Sequence, residues 1–231
     1  MNEMVKIGMV VAVGSEMDSV LRRYGEPLRQ ETHGTFELRL YRSGENELYI
    51  LHSGMGEIAA AAATQLLISL CQVDLIVNFG VVGGLTEEMA KQKTCIVEKV
   101  VHADFDAEAV DGTKRGQYAG FPDEFIPTDP KLFREALRIE PGLKPVICAS
   151  ADKFIAGREK KSELHDLFGA EICDMESAGI ALTCYRNRIP CLMIKTVSDG
   201  ITGGAEEYYA EVAHTSALCL DIAQRIIEEA L

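Results

Sequence analysis

Four segments of this 231-residue chain set an acid or a cluster of glycines at the end of an apolar run. Glu16 follows the run Lys6 to Val13 and Gly14. The stretch Phe79-Gly80-Val81-Val82-Gly83-Gly84 follows Leu75 to Asn78. Asp174-Met175-Glu176 closes a short apolar segment, and Ser198-Asp199 follows Cys191 to Val197. Carboxylates so placed suit general acid–base work, in which one is kept protonated and another ionised by different surroundings. A carboxylate at the Met175 corner could also accept two hydroxyl hydrogen bonds from a ribose, a strong charge-assisted arrangement. Glycines at 80, 83 and 84 let backbone approach a ligand closely. Each feature also has a purely structural reading. Glu16 and the two acids flanking Met175 can serve as first-turn or capping acids, Asp199 as a cap, and the glycines as a tight turn.

The elements that must position these residues follow from periodicity. Lys6 to Val13 is a continuous β-branched run, the pattern of a buried strand. Residues 36–42 and 48–52 alternate around Gly44-Glu45-Asn46 and predict a hairpin. An Ala-rich helix is expected from Ile58 to about Cys71, then strands over Leu75 to Asn78 and Thr94 to Val101. A long polar stretch, about 102–129, is expected as a loop. Asp129 precedes Pro130 as an N-cap to a helix running to about Arg138. Further strands are expected at Val146 to Ser150, Ile172 to Met175 and Cys191 to Val197. Helices are expected at Glu159 to Phe168, Glu176 to Asn187 and about Glu206 to Glu229. This alternation predicts an α/β fold, a single-domain three-layer α/β/α arrangement over residues 1–231 with a mixed central sheet. Ligands in such sheets bind beyond the carboxyl ends of the strands, where all four segments fall.

Composition narrows the chemistry. A net charge of −13 argues against binding nucleic acid, which needs a basic face. Seven scattered cysteines without a CxxC pair, and five histidines without ligand spacing, lead us to expect reduced thiols and no metal site. A dinucleotide cofactor is not expected either, because no GxGxxG stands in a βαβ unit. No cofactor of any kind is called for. No run of 18 apolar residues predicts a membrane span. The opening residues lack the layout of a signal peptide, so a cytoplasmic protein is expected.

The ordered set of Glu16, the glycines of 80–84, Ser150-Ala151-Asp152-Lys153-Phe154-Ile155, Asp174-Met175-Glu176 and Val197-Ser198-Asp199-Gly200 resembles the nucleoside phosphorylase/nucleosidase superfamily. It is most similar to the branch that hydrolyses 5′-methylthioadenosine and S-adenosylhomocysteine. The resemblance runs from Lys6 to the C-terminal helix. It implies that Asp199, oriented by Ser198, protonates purine N7, and that Glu16 positions and deprotonates a water. Glu176 would hold the ribose hydroxyls, Met175 would pack below the sugar, Phe154 would stack on the base, and the Ile155 backbone would read its edge. Asp174, Val81 and Gly83 are further expected substrate contacts. The resemblance also implies a homodimer, with Tyr208 or Tyr209 reaching across to close the partner's pocket.

Three departures from the family pattern bear on substrate. Val81-Val82 stands where relatives carry Ser-Ala, residues 102–128 differ, and Lys195 replaces an arginine, which is not conservative where bidentate bonding matters. Glu16 in the first loop, and the absence of arginine between Leu75 and Leu85, favour water over phosphate as nucleophile. A purine nucleoside phosphorylase and a non-catalytic nucleoside-binding protein remain as alternatives at this point.

Overall fold

The computed structural model describes residues 4–230. All ten strands belong to one mixed sheet, and its centre is β1 (Lys6–Val11). On one side β1 pairs in parallel with β4 (Asn46–His52), which continues antiparallel through β3 (Phe36–Ser43) to β2 (Arg29–His33) at the edge. On the other side β1 pairs in parallel with β5 (Leu75–Gly84).

Beyond β5 the sheet closes on itself. β10 (Cys191–Asp199) lies parallel to β5 and antiparallel to β6 (Thr94–His102). β6 is followed by β8 (Lys144–Ser150), β8 by β9 (Ile172–Asp174), and β9 returns to β5 through Gly83 and Gly84. These five strands form a ring. The short β7 (Ile126–Pro127) hangs on β6.

Helices cover the sheet because its strands are apolar on both sides. On one face α2 (Glu57–Leu66) and α6 (Ser177–Asn187) bury Ala60, Ala63, Ala178 and Ala181 against Val10, Ile76 and Met193. On the other face α1 (Gly14–Tyr24), α4 (Pro130–Ile139) and α7 (Ala205–Ala230) bury Met17, Val20, Ala136, Leu220 and Ile227 against Ile7, Met9 and Val77. α5 (Arg158–Phe168) packs Leu164 and Phe168 over the ring. The three-layer α/β/α expectation holds.

The differences from the sequence reading have local causes. The glycine-rich stretch 79–84 is not a turn but the outer half of β5, where small residues let β9 and β10 press close. β10 likewise continues through Ser198 and Asp199, so both belong to the sheet. Within 102–129 lie α3 (Glu108–Asp111) and β7. Asp129 caps α4 as expected, its Oδ1 accepting from the N–H groups of Lys131 and Leu132 at 2.9 Å each. Among the described residues no helix is long and apolar enough to cross a membrane.

Candidate active site

The strand ends converge on a cavity of about 300 Å³. Glu16, from the first turn of α1, lines it together with Val81 and Gly83 of β5. Met175 and Glu176 come from the β9–α6 corner, and Ser198 and Asp199 from the end of β10. Phe154 and Ile155 come from the loop before α5. Every residue singled out in the sequence as a substrate contact or catalytic group therefore lines one cavity, Asp174 included.

Glu16 is only 4% exposed. Its Oε2 accepts from the backbone N–H groups of Ala12 and Val13 (3.1 Å each) and its Oε1 from Val81 N–H (3.0 Å). These bonds take three of the roughly four lone-pair positions of a carboxylate and leave one for a water. Burial raises the pKa of Glu16, against the opposing pull of those backbone donors and the Lys195 charge. Gly80 makes the position possible: a Cβ there would fall 2.6 Å from Glu16 Oε1.

Glu176 stands at the N-cap position of α6, outside the helix, so its side chain is free to face the cavity. Its Oε1 accepts from Gly56 N–H at 2.9 Å. Burial first, and the neighbouring Asp174 charge second, push its pKa up to about 7. Hydroxyl donors from a bound sugar would favour its charged form.

Asp174 differs from its expected part. Both its carboxylate oxygens are taken by the protein: Oδ2 by Lys195 Nζ (2.8 Å) and Ser177 Oγ (2.5 Å), Oδ1 by Ser150 Oγ (2.6 Å) and Ser177 N–H (3.2 Å). It anchors the corner that carries Glu176 rather than offering acceptors to a ligand. Lys195, 2% exposed, thus holds one acid by contact and attracts Glu16 and Glu176 through space.

Two tyrosines add aromatic surface to the site. Tyr208 and Tyr209 line this chain's own cavity, and the Tyr208 ring meets Phe154 edge-on, centroids 5.8 Å apart. Tyr209 also stands 76% exposed beside that pocket.

Asp199 is 1% exposed and accepts from Ser198 Oγ at Oδ1 (2.9 Å). Its Oδ2 faces Lys161 Nζ at 2.5 Å, a partner the sequence did not disclose. Lys161 sits in the charged run Arg158-Glu159-Lys160-Lys161, which reads as a solvated helix face.

Glu57 was also missed. It is 5% exposed at the start of α2 and bonds to Ser150 Oγ and Gly179 N–H. Ser150 has one hydroxyl proton and two carboxyl neighbours, Glu57 and Asp174. If Ser150 donates to the ionised Asp174, a protonated Glu57 supplies the second bond. Burial, reinforced by the Asp174 charge, raises the pKa of Glu57 to about 8. The folded state then holds a proton that the unfolded chain has already lost, so stability falls as pH rises from the ordinary glutamate range through about 8. Between pH 6 and 8 the loss should be about 2 kcal/mol from this group. Thermal melts across that range should show it in the native protein, and Glu57→Gln, which keeps a donor, should flatten the slope. An unchanged slope in the variant would remove Glu57 as the cause.

A sheet closed into a ring, flanked by helices, with acids gathered over its strand ends, defines an α/β enzyme class that handles small polar ligands at the sheet mouth. The chain belongs to the phosphorylase superfamily, whose family profile matches residues 6–231. It is 30% identical over 230 residues to the 5′-methylthioadenosine/S-adenosylhomocysteine nucleosidase of Hydrogenovibrio crunogenus, covering 94% of this chain and 97% of that one. Its fold is similar to the native structure of futalosine hydrolase from Helicobacter pylori (TM-score 0.92, 22% identity, 98% of each chain). It is equally similar to S-adenosylhomocysteine nucleosidase from Streptococcus pyogenes, solved with 5-methylthiotubericidin (TM-score 0.92, 21% identity, covering 100% of this chain and 99% of that one). At such identity the two structures speak for the fold.

Proposed function

We propose that this chain hydrolyses the N-glycosidic bond of a purine nucleoside, 5′-methylthioadenosine, S-adenosylhomocysteine or a related adenosine derivative, and releases the base. The observation that carries this reading is the meeting of Glu16, Glu176 and Asp199 around one cavity. Asp199 gives a proton to N7, which turns the purine into a leaving group. Glu176 holds the ribose hydroxyls as the sugar becomes cationic. Glu16 takes a proton from the water that adds to the anomeric carbon, and solvent exchange returns the proton balance. Phe154 and Tyr208 offer ring surface to the base or to an apolar 5′ group.

Water rather than phosphate fits the charge of the site. No arginine lines the cavity among the described residues, and its basic lining residue, Lys153, is directed to Asp104 at 3.8 Å. The reading includes one catalytic domain, a cytoplasmic setting and a homodimer. Exposed Ile58 and Val110 offer apolar surface to a second copy.

The test is base release from methylthioadenosine, S-adenosylhomocysteine, adenosine and inosine, with and without inorganic phosphate. Free base and free sugar should form at the same rate in both buffers. Strict dependence on phosphate, with a sugar 1-phosphate as product, would overturn hydrolysis. Binding without turnover across the panel would overturn catalysis.

A further inference from the structure

Lys161 is fully buried, and its ammonium makes three contacts: Asp199 Oδ2 at 2.5 Å, Gly200 O at 2.7 Å and Asp199 O at 3.3 Å. Three N–H donors meet three acceptors, all at the residue expected to act as acid and at its neighbour. A buried ion pair is weak support for stability, because removing two charges from water costs as much as their attraction returns. The reason for placing this lysine there is therefore to be sought in what Asp199 does.

The surroundings are fitted to the pair. A Cβ on Gly83 would lie 3.0 Å from Cys173 Sγ, 3.3 Å from Lys161 Nζ and 3.4 Å from Asp199 Oδ2, so the glycine lets the strand pack closely against the pair. Lys161 rides on the first turn of α5, six residues after Ile155. Gly157 N–H donates to Gly203 O (3.1 Å), which ties that segment to the loop following Asp199. Contact with the base and placement of the acid are thus carried by one stretch of backbone.

We propose that Lys161 is the positioning residue for the general acid: it fixes the Asp199 carboxyl group at the cavity wall and supplies the fixed positive charge beside which that group gives up its proton to N7. Once the proton has gone, the carboxylate left behind lies against an ammonium instead of an empty apolar wall. The inference rests on the nucleosidase reading and extends it to a residue outside the cavity lining.

The experiment compares two leaving groups. Adenine needs a proton to depart, whereas 4-nitrophenolate leaves 4-nitrophenyl β-D-ribofuranoside as a stable anion. Lys161→Met should lower kcat for adenine release roughly 10²-fold, within the range for a lost general acid, and change nitrophenolate release less than about threefold. In a double-mutant cycle, adding Lys161→Met to Asp199→Asn should cost under about threefold more in adenine release, because the two act as a unit. Thermal melts accompany each variant. If Lys161→Met does not fold, Lys161→Gln, which is shorter and uncharged, takes its place with the same expectations. Equal losses on both substrates, unchanged adenine release, or effects that multiply in the cycle would each overturn the proposal. Failure of the underlying reading would look different: the native protein would release no base, or Asp199→Asn alone would leave adenine release intact.

Discussion

Asp199→Asn should lower kcat for adenine release by about 10²–10⁴-fold while leaving KM within a few-fold of the native value. An asparagine fills the same space at the end of β10 and can keep its oxygen on Lys161 Nζ while its amide donates to Ser198 Oγ, but it has no acidic proton to give. Its cost should therefore fall on the step in which N7 gains that proton, and little on ground-state binding. Single-turnover measurement of base formation separates the chemical step from product release. Full turnover by the variant would take Asp199 out of the mechanism.

Glu16→Gln should be comparably severe, again about 10²–10⁴-fold in kcat. The native carboxylate accepts three backbone N–H bonds and keeps one position open. An amide has a donor at one end, so either Val81 N–H or the Ala12 and Val13 N–H groups would face another donor. The variant thus loses the base and disturbs the loop that holds it, whereas Glu16→Asp retains charge at shorter reach and should recover part of the rate. The native enzyme should also show the base's titration: Glu16 must be ionised to take a proton, so kcat falls as pH is lowered. Because burial raises its pKa, the fall should begin at higher pH than for an ordinary glutamate. A pH profile flat down to the ordinary range, or an undiminished Glu16→Gln variant, would require another base.

How far these residues could be read without coordinates depended on their surroundings in the chain. The strands were legible because runs such as Lys6–Val11 and Cys191–Val197 have no other stable place than a covered sheet. The acids at their ends were legible because a charge directly after such a run must stand at the mouth. β2 was not legible: Arg29–His33 is a polar edge strand, and only its pairing with β3 makes it one. The glycines of β5 misled because small residues serve close strand packing as well as turns. Glu57 and Lys161 were invisible for a stronger reason. Each is a charged residue in a helix's first turns, where solvent exposure is the ordinary outcome, and each is buried by partners more than 35 positions away. Asp174 and Glu176 looked equivalent in sequence. Lys195 makes them unequal by taking one as an ion-pair partner, and that depends on β10 running beneath the corner.

The ring of strands has a bearing on how the protein comes into being. β10 lies between β5 and β6 in space but follows both by many residues in sequence. As the chain leaves the ribosome, the edges of β5 and β6 must wait for residues 191–199 before they are bridged, and pairings of such long range form late. The segment that bridges them also carries Ser198 and Asp199. Assembly of the scaffold and arrival of the acid are thus a single event. On the proposed reading, the strand that completes the ring is the same one that brings the general acid to the pocket.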